Sequence, residues 1–550
     1  MSETRKSFDL DHGFRSWPHT GGRLGRRLPA WAWTGVLSLA LLGGCATPLP
    51  QVDRAAIASE AVVASRDTSL GRLVQDSTPD PELSGFRLMP LGSFAFDTRL
   101  ALAARAERSL DVQYYHLEAD DTGRVLLRAL RDAAERGVRV RLLIDDYYTG
   151  GSDELFLGFA AHPNVQVRLF NPFCCARDAG SRMRFLASTG DWARVNHRMH
   201  NKLFIADGVA AVIGGRNIAD EYFLRRESDN FIDLDAFVVG AVVDPLGWLF
   251  DRYWNSQPVY PLQAIATSTL TPQQLREAFE RRTAPGSTMQ PPPLPGNDIL
   301  GYGSVRDALD FGRIGLIWGE ARAFADHPDK PFDGSVGGDL QQTSVAYNVI
   351  ETIREAKSEV LITSPYFVPG PRGMELLGEL RARGVKVTVL TNSLGSTDEP
   401  LVHAGYSRYR EDMLRMGVDL YELSQERVRR NVRMMQFGES LGRLHAKLVV
   451  IDREQSYIGS MNFDPRSATI NTELGILVNS PQLARELTRV INLDRLQSAY
   501  RVRMRADGAG VEWLSFDSER EIILSSEPEA SFWLRLQLLL ASPFVPEELL

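Results

Sequence analysis

His200-Asn201-Lys202-Leu203-Phe204-Ile205-Ala206-Asp207 and His445-Ala446-Lys447-Leu448-Val449-Val450-Ile451-Asp452 are two copies of one pattern. Each runs on at the same spacing into a glycine turn and an asparagine, Gly214-Gly215-Arg216-Asn217 and Gly459-Ser460-Met461-Asn462. A composite pattern repeated in one register implies two related halves whose motifs meet. Both octets are apolar and rich in β-branched residues, which predicts strands. In a strand, residues i and i+2 share a face, so each His projects with its Lys while Asn201 and Ala446 point the other way. An imidazole beside an ammonium makes a poor core and a good anion site. The glycines let backbone approach a ligand, and the asparagine amide adds a donor. Phosphate fits that inventory. Two imidazoles can divide a phosphodiester displacement, one attacking phosphorus and the other protonating the leaving oxygen. A lone histidine near a strand is usually a hydrogen-bonded core residue; the duplicated constellation outweighs that reading.

The repeat extends beyond the motifs. The first half predicts a helix ending near Arg108, a strand over 109–116, a helix over 123–136 and a strand over 138–145. The second predicts a helix over 345–357, a strand over 359–364, a helix over 372–383 and a strand over 385–392. Arg136-Gly137-Val138-Arg139-Val140 and Arg383-Gly384-Val385-Lys386-Val387 occupy matching places, with glycine stopping each helix. Strands alternating with helices predict mixed sheets covered on both faces, an α/β chain of two αβα-sandwich lobes. The expected division is a targeting segment over 1–44, a tether over 45–84 with a helix over 53–65, and a first lobe over 85–262. A Pro-rich linker over 263–300, a second lobe over 301–525 and a tail over 526–550 follow.

The motifs resemble the paired HKD motifs of the phospholipase D superfamily, and the resemblance covers about residues 85 to 520. It implies two lobes related by a pseudo-twofold, the active site at their interface, a phosphohistidine intermediate and no metal or other cofactor. By that resemblance the catalytic set is His200, Lys202 and Asp207 with His445, Lys447 and Asp452. His200 is the nucleophile and His445 the general acid and then base. Lys202, Lys447, Asn217 and Asn462 would hold phosphoryl oxygens, with Ser460 a further phosphate ligand whose counterpart in the first motif is Gly215. Asp207 and Asp452 are expected to fix the turn after each strand rather than to exchange protons. Glu473 and Asp233, with Asp235 an alternative to the latter, resemble the acid that hydrogen-bonds a catalytic imidazole and sets its tautomer.

Stretches outside the motifs resemble the cardiolipin synthase C-like branch: Asp233-Leu234-Asp235, Asp251-Arg252-Tyr253-Trp254, Thr391 to Asp398, and His403-Ala404-Gly405-Tyr406. The branch implies transfer of a phosphatidyl group from phosphatidylethanolamine or phosphatidylglycerol onto phosphatidylglycerol, and leaves room for an accessory protein. Hydrolysis to phosphatidic acid is the alternative, because spacing alone does not separate an acceptor alcohol from water. The 550 residues carry a formal charge of −8, and Cys45 onward carries −11, which disfavours a nucleic-acid partner.

Three cysteines make no disulfide framework. Cys174 and Cys175 are expected to be small fillers. Cys45 closes Leu42-Gly43-Gly44-Cys45 after an apolar run from Ala30 to Leu42 that follows Arg23, Arg26 and Arg27. Basic residues, an apolar stretch too short to span a bilayer and then small residues form a secretory signal. Its end resembles a bacterial lipobox, which implies lipidation at Cys45 and, with Ala46 following, a periplasm-facing protein of the outer membrane. Tyr114, Tyr115, Tyr147, Tyr148, Tyr366 and Phe367 cluster at expected strand ends and are candidates to line a lipid pocket. In the tail, Phe532 to Leu540 is apolar, too short to cross a bilayer, and carries the Trp and Arg of a helix lying in a membrane interface.

Overall fold

The computed structural model describes residues 49–174, 176–330, 344–430, 442–517 and 520–550, so the 1–44 segment, Cys45 and Cys175 lie outside the described residues. The first lobe is built on strands β1 (Ser84–Met89), β2 (Ser109–Tyr114), β3 (Arg139–Asp145), β4 (Val165–Phe170), β5 (Leu203–Ala206), β6 (Ala210–Gly214), β8 (Asp235–Gly240) and β9 (Val259–Pro261), with the short β7 (Asn230–Ile232) outside its sheet. The order is β9-β4-β3-β2-β5-β6-β8-β1, parallel across β2, β3 and β4 and antiparallel elsewhere.

The second lobe repeats this order strand for strand. β10 (Ile317–Ala325), β11 (Glu359–Thr363), β12 (Lys386–Asn392), β13 (Asp419–Leu423), β15 (Leu448–Ile451), β16 (Gln455–Gly459), β17 (Leu474–Asn479) and β18 (Ala499–Met504) run β18-β13-β12-β11-β15-β16-β17-β10. β19 (Val511–Asp517) and β20 (Arg520–Leu524) extend it beyond β18. The first half of β10 pairs with β1 and the second half with β17, so both sheets join in one of 18 strands. This crossing strand belongs to both lobes, which a boundary at residue 301 does not convey.

Side-chain alternation places the strands between separate cores. In β3, Val140, Leu142 and Ile144 face the helix Asp121–Glu135, whose Leu126, Leu127 and Leu130 are fully buried, while Leu143 faces the other way. That helix starts on the Asp120 side chain, which accepts from the Gly123 amide, and stops at Gly137 in the left-handed region at φ 97°. Gly384, at φ 82°, performs the same stop in the second lobe. Leu143, Ile205 and Ile213 share one core with Leu390, Leu448, Ile458 and Ile476 of the second lobe. The helices Val243–Trp254 and Pro481–Gln497 contribute Phe250 and Leu487 to it. The inner layers of the two lobes are thus one shared core, and this is what brings the motif strands together.

Three expectations are corrected. The stretch from Leu49 to Leu83 is docked rather than a free tether: its helices are Arg54–Ile57 and Ser69–Ser77, Leu70 and Val74 enter the first lobe's core, and Arg141 donates to the Ser59 carbonyl at 3.0 Å. The helix Pro272–Thr283 buries Phe279 in the first lobe, so only the stretch beyond it links the lobes. The motif strands begin at Leu203 and Leu448, one residue past each Lys, because each His gives its amide to the opposite lobe.

Candidate active site

His200 N–H donates to the Thr472 carbonyl at 2.8 Å, and His445 N–H donates to the Ile232 carbonyl at 2.7 Å. The acceptor in each case is the residue just before the other lobe's acid. β14 (Gly442–Leu444) runs parallel to β7, and a bridge pairs Met199 with Thr472. The backbone crossing sets the side-chain crossing. His200 Nδ1 lies 2.9 Å from Glu473 Oε2, and His445 Nδ1 lies 2.6 Å from Asp233 Oδ2. Each carboxylate fixes its imidazole with Nδ1–H outward to the acid and Nε2 free for chemistry. Asp235, the alternative, is committed elsewhere: Arg99 reaches it at 2.9 Å and Arg216 at 3.5 Å.

Lys202 Nζ donates to the His200 carbonyl at 2.6 Å, and Lys447 Nζ makes the same bond to the His445 carbonyl. Both ammonium groups are buried. Burial depresses the Lys447 pKa to about 8, offset by Asp233 and Glu473, and drives Lys202 well below the ordinary lysine range. Burial and then Lys202 and Lys447 drive His200 well down, and burial with Lys447 lowers His445 to about 4 against the pull of Asp233. Each histidine thus feels the lysines of both motifs, so the four groups lie within electrostatic reach of one another.

The two acids differ. Burial raises Glu473, but Lys202 and the Ser460 hydroxyl hold it at about 7. Burial also raises Asp233, yet the His445 imidazole and the bond to it, with Lys447 and Arg216, bring it down to about 2. Asp326, at the end of β10, is paired with the buried Lys330 at 2.9 Å and accepts from the Glu473 amide at 3.0 Å.

The remaining predicted residues divide. Asp207 and Asp452 stand away from the pocket and leave the catalytic set. Each has φ 52° and caps the start of a neighbouring strand, Asp207 accepting from the amides of Glu107, Arg108 and Ser109, and Asp452 from those of Lys357, Ser358 and Glu359. Ser460 is not a phosphate ligand either. Its hydroxyl donates to Glu473 at 2.5 Å and accepts from the Leu474 amide at 3.0 Å. Gly215 has its own reason: a Cβ there would come within 2.2 Å of Asp233 Oδ1. Asn217 donates to the Tyr222 hydroxyl at 2.9 Å, which leaves its second amide hydrogen, and Asn462 is buried with Oδ1 unpartnered among the described residues.

Tyr115 stands edge-on to His200 at 5.1 Å, and Tyr222 edge-on to His445 at the same distance. Tyr115 was marked by its strand-end position. Tyr222 and Phe231, whose ring lies 4.9 Å from His445, carry no such mark, because they reach the site from a short 3-10 helix, Asp220–Phe223, and from β7, both after the motif. Asn392 was also missed. Its side chain bonds the backbone of Leu444 both ways, at 2.9 Å each, and so ties the end of β12 to the residue before His445.

Two half-sites crossed at an interface, each with imidazole, ammonium and carboxylate, define a phospholipase D-like phosphodiester-exchange enzyme. The family model described as "Cardiolipin synthase, PLD-like domain" matches residues 100–254 and 349–495, one span in each lobe, and the chain belongs to that family. It is 38% identical to cardiolipin synthase C of Escherichia coli over 466 residues, 83% of this chain and 94% of the relative. It is 32% identical to an uncharacterized protein of Helicobacter pylori over 476 residues, 85% and 90% of the two chains. The crystal structure of phosphatidylserine synthase from Haemophilus influenzae matches with a TM-score of 0.54 at 14% identity, covering 88% of this chain and all of that one, a likeness of fold.

Proposed function

We propose that the protein makes cardiolipin by moving a phosphatidyl group from a donor phospholipid, phosphatidylethanolamine or phosphatidylglycerol, to the free glycerol hydroxyl of phosphatidylglycerol. The crossed pairs His200–Glu473 and His445–Asp233 beside two buried lysines carry the chemistry, and the 38% identity to a cardiolipin synthase supports the acceptor. The Nε2 lone pair of His200 attacks phosphorus, the bond to the headgroup oxygen breaks, and His445 Nε2–H protonates the departing alcohol. The acceptor hydroxyl then loses its proton to His445 and attacks the phosphohistidine, and the phosphorus–nitrogen bond breaks to free His200. Lys202 and Lys447 meet the charge that builds on the phosphoryl oxygens.

The acids support this division of labour. Asp233 remains ionised at neutral pH and favours an imidazolium at His445, as an acid requires. Glu473, at about 7 and shared with Ser460, leaves His200 neutral and nucleophilic. Burial and two ammonium charges lower His445, and a bound phosphate offsets the charges, which favours its protonation when the lipid is in place.

The expected anchor at Cys45 puts the enzyme on an envelope membrane facing the periplasm. Two exposed apolar elements suit seating there. The helix Ser181–Ala187 presents Met183 and Leu186, and the tail helix Phe532–Ala541 buries none of its residues and presents Phe532, Trp533, Leu539 and Leu540. Among the described residues no helix is long and apolar enough to cross a membrane.

Incubating the purified protein with defined lipids and separating the products tests the proposal. Cardiolipin formed in proportion to added phosphatidylglycerol is expected; phosphatidic acid as the sole product under every condition would replace transfer with hydrolysis.

A further inference from the structure

We infer that Asp398, with Tyr366, forms the subsite for the polar end of the exchanged headgroup alcohol, accepting hydrogen bonds from its ammonium or hydroxyl groups beside His445. The inference rests on the transfer chemistry proposed above and assigns a residue outside the HKD motifs to headgroup choice.

The loop that carries Asp398 is held firmly. Asn392 ties its start to Leu444, Ser396 Oγ donates to the Leu423 carbonyl at 2.8 Å, and the amides of Ser396 and Thr397 both close on the Ser393 carbonyl at 3.0 Å. Asn392, Ser393 and Ser396 are all buried. The loop therefore moves with the backbone that presents His445.

Asp398 is only half satisfied. Tyr366 O–H donates to its Oδ2 at 2.8 Å, while its Oδ1 is buried without a hydrogen-bond partner among the described residues. A buried carboxylate oxygen left unpaired calls for a partner. Lys447 makes no hydrogen bond to it: its ammonium donates to the His445 carbonyl, and Asp398 lies only within its electrostatic reach. Across the lobe junction, Tyr148 and Tyr222 feel the same carboxylate, and Tyr222 is the ring edge-on to His445. A carboxylate acceptor bonded to Tyr366 thus sits on a loop tied to the residue before His445, within electrostatic reach of the tyrosine that stands edge-on to that imidazole. The inferred subsite would receive the atoms of the alcohol beyond its reacting oxygen. They carry an ammonium in one headgroup and a second hydroxyl in another, and both donate to a carboxylate. Tyrosine faces favour the cation in addition.

The test compares kcat/KM on three donor lipids: phosphatidylglycerol, phosphatidylethanolamine and phosphatidyl-p-nitrophenol, whose leaving group has no hydrogen-bond donor beyond the reacting oxygen. Asp398→Asn is expected to lower the ratio of natural to nitrophenyl turnover roughly tenfold or more, the scale of a lost hydrogen bond to a charged group. Tyr366→Phe, which frees Oδ2 without removing the carboxylate, should move the ratio less and mainly through KM. It carries the test if Asp398→Asn loses its fold. A fall confined to phosphatidylethanolamine identifies the ammonium as the ligand, one confined to phosphatidylglycerol the hydroxyl, and a fall on both the shared chemistry. Equal losses on all three lipids, or none, would overturn the subsite. A wild-type protein inert toward every lipid would instead overturn the transfer reading beneath it.

Discussion

The two half-sites look like copies and are not equivalent. Around His445 the acid is the short Asp233, pressed against Gly215; around His200 it is the longer Glu473, shared with Ser460. A Ser at 215 has no room, because the aspartate occupies the space that the Ser460 side chain fills in the other half. The glycine and the serine thus follow from the length of the acid each must accommodate. The difference divides the chemistry: a fully ionised aspartate suits the imidazole that must carry a proton, and a glutamate near its own midpoint suits the one that must not.

The most severe break is His200→Ala. Turnover should fall by roughly 10⁴-fold or more, as for nucleophiles elsewhere, and no radiolabelled phosphatidyl-enzyme should be trapped by an alkaline denaturing quench, which preserves the acid-labile phosphorus–nitrogen bond of the wild-type intermediate. Labelled protein in that variant would hand the nucleophile's role to His445. Next comes Lys447→Ala, with a loss of about 10²-fold in kcat, on the scale of a removed oxyanion donor.

Gly215→Ser tests the asymmetry itself. Overpacking costs about 1–3 kcal/mol, and the displaced Asp233 should cost His445 its proton, so protonation-limited release of a poor leaving alcohol should suffer more than release of p-nitrophenol. Equal losses on both would show that the glycine serves packing alone.

The smallest effect belongs to Ser460→Ala. Glu473, raised by burial to about 7, is protonated as pH falls through that value, and kcat/KM should fall with it, while loss of the Lys447 charge above about 8 forms the basic limb. The Ser460 bond lowers the Glu473 pKa, so its removal should shift the acidic limb upward. A limb that stays in place would detach Glu473 from the pH profile.

The elements were legible because their signals are local. The Gly137 and Gly384 stops, the strand periodicity after each helix and the two HKD octets needed no partner to be recognised. Glu473 and Asp233 were found by their place after each motif, but which imidazole each serves was not readable. The pairing exchanges acids between lobes, and nothing within one repeat refers to the other. The resemblance makes Ser460 a phosphate ligand; only the path into β17 shows its hydroxyl facing Glu473. The docked stretch after Leu49 was missed because its mixed charge hides the few apolar residues, Leu70 and Val74, that enter the core.

By itself the sequence determined the residue types, their spacing and the duplication, and so the chemistry available: two imidazoles, two ammonium groups and their acids on two α/β halves. Only the tertiary structure decided who serves whom. β10 joins the two sheets and the inner helices share one core, and this packing turns the backbone of each histidine toward the opposite lobe. Periodicity records which face of a strand is buried; it does not record which other strand lies across from it.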